Sequence, residues 1–224
     1  MLFRQLHDTA SNTLTYLLAD TDEREAALID PLPGQSELLL ALLGEYDLRL
    51  RYVLRTHVHR PDRRPCTDLC RHTGARIVIG TDAPADEPGE RVAHGATLVL
   101  GNEVLRVLAT PGHTPCCVSY LWRDRLFCGD TLEIDGCCEP SDELEPGHLY
   151  DSVTQRIFLL PDETLIFPGH DRSGRSISTV REERLRNRAY AGRSRETFIT
   201  DVGMRRLARP PARHPFEEDI HEAH

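Results

Sequence analysis

Four times in 224 residues this chain breaks off a run of apolar, β-forming residues to deliver a histidine or an aspartate. His57 and His59 follow the alternating run at 48–54, and His113 lies in Thr110-Pro111-Gly112-His113-Thr114. Asp130 ends Cys128-Gly129-Asp130, and His170 ends Phe167-Pro168-Gly169-His170. Imidazole nitrogen and carboxylate oxygen are the donors that divalent cations take. Alternate residues of an extended segment face one side, so His57 and His59 can serve one site. A glycine just before His113 and Asp130 lets backbone approach closely. Taken singly, each histidine reads equally well as a loop or a satisfied core residue. Taken together they predict a metal site, with Asp62 beside the first pair.

The rest of the chain predicts an α/β scaffold. Residues 13–18, 26–29, 48–54, 77–79 and 164–167 read as strands. Hairpins are expected at Gly101-Asn102 and at Arg123-Asp124. Helices are expected from Ser36 to Gly44, over 149–160 at helical spacing, over 179–190, and from Ser194 to about residue 207. With no repeat and no break in composition, one domain over 1–209 is expected. A polar tail over 210–224, opened by Pro210-Pro211, is expected to be disordered.

Charge narrows the function. Asp and Glu number 36 against 27 basic residues, a net −9, which argues against nucleic acid or an anionic membrane as partner. Every basic residue is Arg, so a Schiff-base lysine is excluded. No apolar run approaches the ~20 residues of a membrane span. The start, Met1 to Asp8, lacks the basic and apolar regions of a secretory signal. Seven cysteines, an odd number with two adjacent pairs, then read as reduced thiols, and a cytoplasmic location is expected.

Thr56-His57-Val58-His59-Arg60-Pro61-Asp62, Pro-Gly-His113-Thr, Gly-Asp130 and Pro-Gly-His170 resemble the metallo-β-lactamase fold, whose pattern is T-H-x-H-x-D-H, P-G-H-T, G-D and a late His. Phe3-Arg4-Gln5-Leu6, Glu25-Ala26-Ala27-Leu28-Ile29-Asp30-Pro31, His113-Thr114-Pro115-Cys116-Cys117-Val118 and Ser178-Thr179-Val180-Arg181-Glu182-Glu183-Arg184 are similar to its persulfide dioxygenase branch. The resemblance covers about residues 3 to 205. It implies a single-domain αββα sandwich. It also implies one Fe(II) per chain on His57, His113 and Asp130, with zinc as the alternative.

Hydrolytic relatives hold a second metal through Asp62, the next His, Asp130 and His170; that next His is read here as Arg63. Guanidinium has no lone pair for a metal, which favours a single ion. His59, Asp62 and His170 are then expected to orient ligands or reactants. The substrate side departs from the branch. Where relatives carry R-G-C-G-R, this chain has Asp135-Gly136-Cys137-Cys138-Glu139, and both Arg positions have become acids. Glu139 is expected to repel the carboxylates of glutathione. Arg172 or Arg175 is the candidate replacement cation. Cys137 beside Cys138 is either a sulfur carrier or plain apolar packing, and packing is how free cysteine usually behaves.

Three readings follow. The first is an iron-dependent dioxygenase that oxidises a small-molecule persulfide, or one on a thiol carrier, with O2 to sulfite, through an altered pocket. The second is a thioester hydrolase of the glyoxalase II type, using metal-bound hydroxide. The third is a relative that binds metal or sulfur without catalysis. A homodimer is compatible with all three.

Overall fold

The computed structural model describes residues 1–59 and 67–208. Two six-stranded sheets stack face to face. In the first, β1 (Leu2–Asp8), β2 (Thr13–Asp20), β3 (Glu25–Ile29), β4 (Arg49–Leu54), β5 (Arg76–Gly80) and β6 (Glu90–Val92) follow one another in chain order. The second runs β12 (Ser178–Thr179), β11 (Leu165–Pro168), β10 (Arg125–Gly129), β9 (Val118–Trp122), β8 (Glu103–Ala109) and β7 (Thr97–Leu100). Helices α1 (Ser36–Glu45) and α2 (Thr67–Thr73) cover the outer face of the first sheet. Helices α3 (Pro146–Ser152), α4 (Val180–Arg186) and α5 (Arg195–Leu207) cover that of the second. This is the expected αββα sandwich.

Burial on both faces explains why the strands read as nearly continuous apolar runs. In β2, Tyr16 and Leu18 enter the core between the sheets, while Leu17 and Ala19 pack outward against Leu39 and Leu43 of α1. In β9, Val118, Tyr120 and Trp122 face inward, and Leu121 faces the outer helices. Tyr16, Phe127 and Phe167 lock the two sheets together, with ring centroids 5.0 Å apart for Tyr16–Phe127 and 5.2 Å for Phe127–Phe167.

Strand direction places the site. β3, β4 and β5 run parallel, as do β10 and β11, so their C-terminal ends open on common edges. Three links join those edges across the sandwich: Val118 N to Thr56 O at 2.8 Å, Leu14 N to Gly169 O at 2.8 Å, and the Tyr16 hydroxyl to Pro168 O at 2.6 Å.

Both expected hairpins form, as β7–β8 and β9–β10. Ser194 caps α5, its Oγ accepting from Thr197 N at 3.2 Å. Three helix boundaries differ from expectation. Ser36 is helical rather than the cap, because a turn at Pro33–Gln35 precedes it and takes its hydroxyl at Pro33 O. The helix expected over 149–160 begins at Pro146 and widens into a π-turn at Val153–Ile157, which keeps Leu149, Val153 and Ile157 on the buried side. The helix expected over 179–190 ends at Arg186, with Thr179 as its cap. Among the described residues, no helix is long and apolar enough to cross a membrane. The tail at 210–224 lies outside the described residues.

Candidate metal centre

Each candidate ligand leaves the end of a strand. β4 delivers His57 and His59, the turn after β8 delivers His113, β10 delivers Asp130, and β11 delivers His170. Two glycines make the approach of these turns sterically allowed. Gly129 has φ +52°, and a Cβ there would lie 2.2 Å from Thr56 Oγ1. Gly112 has φ +142°, and a Cβ there would lie 2.3 Å from the backbone of Leu149. Any other residue would displace Asp130 or His113 from the site.

His57, His59, His113 and Asp130 converge so that one donor atom from each lies within 4.8 Å of the others. The three rings stand nearly perpendicular, with centroids 4.8 to 4.9 Å apart. Asp130 Oδ2 is 3.4 Å from His113 Nε2 and 3.9 Å from His57 Nε2, and His113 Nε2 is 3.0 Å from His59 Nε2. Donors about 2.0–2.2 Å from one ion lie roughly 3–3.5 Å from one another, so this spacing suits a divalent cation.

For His57 and His59 the surroundings decide which ring nitrogen is free. Thr56 Oγ1 donates its proton to Asp30 Oδ2 at 2.6 Å, so it meets His57 Nδ1 at 3.0 Å as an acceptor. His57 therefore carries its proton on Nδ1 and presents a lone pair at Nε2. His59 is set the same way by Glu143 Oε2, 3.1 Å from its Nδ1. Burial pushes the His57 imidazolium down to about 4 and that of His113 to about 3, against the pull of Asp130. Both rings are neutral at pH 7, as ligation requires. Burial alone would raise Asp130, but His57, the His170 hydrogen bond and His113 carry it well below the ordinary carboxylate range. The site holds an ionised carboxylate among neutral imidazoles.

His170 stands one atom further out. Its Nδ1 binds Asp130 Oδ1 at 2.8 Å, which leaves Oδ2 to face His57 and His113. That bond raises the pKa of His170. His59, expected only to orient, instead places Nε2 among the donors. Asp62 and Arg63 lie outside the described residues. Counted without a gap from His57, the family pattern's Asp falls on Pro61 and its following His on Asp62, so the Arg63 assignment needs an insertion. In either register the second-site histidine is absent from the sequence.

The cavity over the centre has a volume of about 260 Å³, with Thr13, Leu32, Arg55, His57, His59 and His170 in its wall. Arg55 is held by the buried Glu87. None of Arg172, Arg175, Cys137 and Glu139 lines this cavity. Arg172 bridges Glu133 at 2.9 Å and Glu139 at 2.6 Å. Arg175 pairs with Glu182 at 2.9 Å and Asp135 at 3.3 Å. The two acids of the altered loop are therefore neutralised locally: Asp135 meets Arg175, and Glu139 meets Arg172. Glu139 is not an unopposed charge, and Arg172 and Arg175 are not unpaired cations. Cys137 opens into a different cavity, against Arg205.

Two groups of this centre had no weight in the sequence reading. Asp30 and Thr56 enter the sequence analysis only as members of longer family stretches, with no role of their own. Asp30 has φ +47° and accepts from Thr56 N at 2.8 Å as well as from the hydroxyl. An Asp-Pro directly after a buried run was the available signal.

No family model matches the chain. It is 37% identical over 219 residues to the human mitochondrial persulfide dioxygenase ETHE1, covering 94% of this chain and 84% of that protein. A hydroxyacylglutathione hydrolase of Anaeromyxobacter dehalogenans is 35% identical over 165 residues, covering 73% of this chain and 63% of the hydrolase. Among solved structures, ETHE1 from Myxococcus xanthus superposes with a TM-score of 0.87 at 40% identity, covering 94% of this chain and 93% of that one. A metallo-β-lactamase from Staphylococcus aureus reaches 0.82 at 26% identity, covering 94% and 68%.

Proposed function

Because this chain belongs to the persulfide dioxygenase family of the metallo-β-lactamase fold, we propose that it oxidises a small-molecule thiol persulfide with O2 at one Fe(II) held by His57, His113 and Asp130. The observation that carries the reading is the convergence of two neutral imidazoles and one ionised carboxylate, on a chain related to persulfide dioxygenases over nearly its whole length. A two-histidine, one-carboxylate set is the ligand class of non-haem iron oxygenases, and iron so held supplies O2 activation with positions left open for the substrate.

The chain's own residues do the rest. Asp30, acting through Thr56, holds His57 with Nε2 unprotonated. His170 holds the far oxygen of Asp130 and turns the near one inward. Leu32, Pro33 and Val53 give the cavity an apolar wall that suits a sulfur atom better than a charged group. The overall conversion balances as R–S–SH + O2 + H2O giving R–SH and sulfurous acid, so one O2 is consumed for each sulfite formed.

One observation favours the second reading, a zinc thioester hydrolase: His59 Nε2 stands 3.0 Å from His113 Nε2, which makes a fourth donor available. Against it stands the missing second-site histidine. The test is a comparison of iron-loaded and zinc-loaded protein on a low-molecular-weight persulfide and on a glutathione thioester. The dioxygenase reading expects O2 uptake and sulfite with iron alone. Thioester turnover with zinc and no O2 uptake with iron would overturn it.

A further inference from the structure

A second cavity, of about 610 Å³ and sharing no lining residue with the one over the metal donors, has Cys137 in its wall beside Arg188, Arg193, Phe198 and Arg205. The wall carries three arginines against two carboxylates, Asp135 and Asp201. Arg193 is paired with Asp201. The Cys137 sulfur is half-buried and lies 4.0 Å from that of Cys138, which is fully buried. Next to Cys137, the Tyr190 hydroxyl is buried without a partner at hydrogen-bond distance, its ring stacked on Phe198 at 4.9 Å. That hydroxyl, buried and unsatisfied beside the Cys137 sulfur, is a donor with which a polar adduct on Cys137 could bond.

We propose that Cys137 is a sulfane-sulfur acceptor site, separate from the metal centre, which takes the outer sulfur of a small thiol persulfide and holds it as a cysteine persulfide. The Cys137 thiolate attacks the outer sulfur of R–S–SH, and a new S–S bond forms at Cys137. The S–S bond of the donor breaks, and R–S⁻ leaves to take a proton from water. The sulfane sulfur moves without any net change of oxidation state, so no oxidant is needed. The proposal rests on the preceding reading only for the identity of the donor.

The groups facing Cys137 favour this role. The contact with Cys138 and the Arg205 guanidinium beside it together hold the Cys137 thiol below its ordinary range, despite burial and the nearby Glu133. Cys138 moves the opposite way, well above the ordinary thiol range. Only one thiol of the pair is then the nucleophile. The other described thiols lack this setting. Burial pushes Cys117 up to about 12 and also raises Cys70 and Cys128. Plain packing, the ordinary role of free cysteine, accounts for Cys128 and Cys138 but not for a thiol that opens into a cavity against arginine.

The test treats the full-length protein, as purified and without O2, with a low-molecular-weight alkyl persulfide released from a caged precursor. Absence of O2 silences any dioxygenase turnover, so the two readings fail separately. Peptide mass spectrometry then locates the added 32 Da of one sulfur. The expected result is label on Cys137 in preference to every other cysteine, kept in Cys138→Ser and lost in Cys137→Ser. Arg205→Gln, on an exposed residue, is expected to slow labelling about tenfold at pH 7 and to match wild type near pH 9.5, where the thiol ionises without help. A purely structural arginine would give no such rescue. Label spread evenly over the thiols, or favouring Cys66 or Cys70, or a rate indifferent to Arg205, would overturn the proposal.

Discussion

Asp30 Oδ2 accepts the Thr56 hydroxyl proton at 2.6 Å, and that one bond fixes how the chain can meet a metal. With its proton committed, Thr56 offers only a lone pair to His57 Nδ1, so the ring's other nitrogen stays free. In Asp30→Asn the new amide would donate to Thr56 and turn the hydroxyl proton toward His57 Nδ1. The free lone pair would then move to the wrong nitrogen. Substitution of a residue that orients a ligating histidine typically costs about 10–100-fold in metal affinity. Competition of the protein with a chromophoric chelator for zinc or cobalt checks this. Thr56→Val is expected to match Asp30→Asn, and Thr56→Ser to stay close to wild type.

Asp130 and His170 share a hydrogen bond but not a role. Asp130→Ala removes the only carboxylate among the converging donors of the described residues and is expected to abolish metal binding. His170→Ala leaves every one of those donors in place and is expected to weaken binding by about 10–100-fold, as loss of an orienting partner does. Metal content of the two variants after identical dialysis decides it. Equal and complete loss in both would place His170 among the ligands.

Burial raises the Asp30 carboxyl to about 6, against the hydrogen bonds from Thr56. A carboxyl raised in the folded state adds stability as pH falls through that value and loses the addition above it. The window runs from about 6 down to 3.8, the ordinary value. Between pH 7 and pH 4.5 metal-free wild type should gain roughly 2 kcal/mol relative to Asp30→Asn, at about 1.4 kcal/mol per pKa unit. Urea unfolding of chelator-treated protein at the two pH values measures the difference. A constant gap between wild type and variant would show that Asp30 is ionised throughout.

Glutathione persulfide is expected to be a poorer substrate than a small, weakly charged alkyl persulfide. Arg172 is occupied by Glu133 and Glu139, and Arg175 by Glu182 and Asp135. Glu139→Arg would free one arm of Arg172 and add a second cation. Because Glu139 is exposed and lies outside the cavity over the metal donors, the expected gain at low salt is small, roughly 0.5 kcal/mol or about twofold in kcat/KM for glutathione persulfide. The gain should shrink at high salt, because the Glu139 side chain is 72% exposed. Sulfite formation against substrate concentration at two ionic strengths checks this. High wild-type activity on glutathione persulfide would show that another residue already supplies the cation.

The layers and the metal site were legible in the sequence for one reason: each depends on local pattern. Double-faced burial of β2 and β9 leaves continuous apolar runs, and the turns after strands announce themselves by Gly-His and Gly-Asp. What stayed hidden depends on contacts between distant residues. Nothing at Asp30 points to Thr56, 26 residues away. Nothing in Asp135 or Glu139 shows that Arg175 and Arg172 fold back onto them, and the loop therefore read as a repulsive one. His59 was placed outside the ligands by resemblance, whereas its side chain turns the same way as that of His57, as the period of an extended segment dictates. The helix ends moved because a preceding turn took the Ser36 hydroxyl and a π-turn lengthened the run after Ser152.

The central claim, a single iron centre on His57, His113 and Asp130, is tested most directly by element analysis of protein purified without O2. One iron per chain and no zinc in stoichiometric amount are expected, with the iron lost in Asp130→Ala. Two zinc ions per chain, retained in a protein that hydrolyses a glutathione thioester, would contradict it.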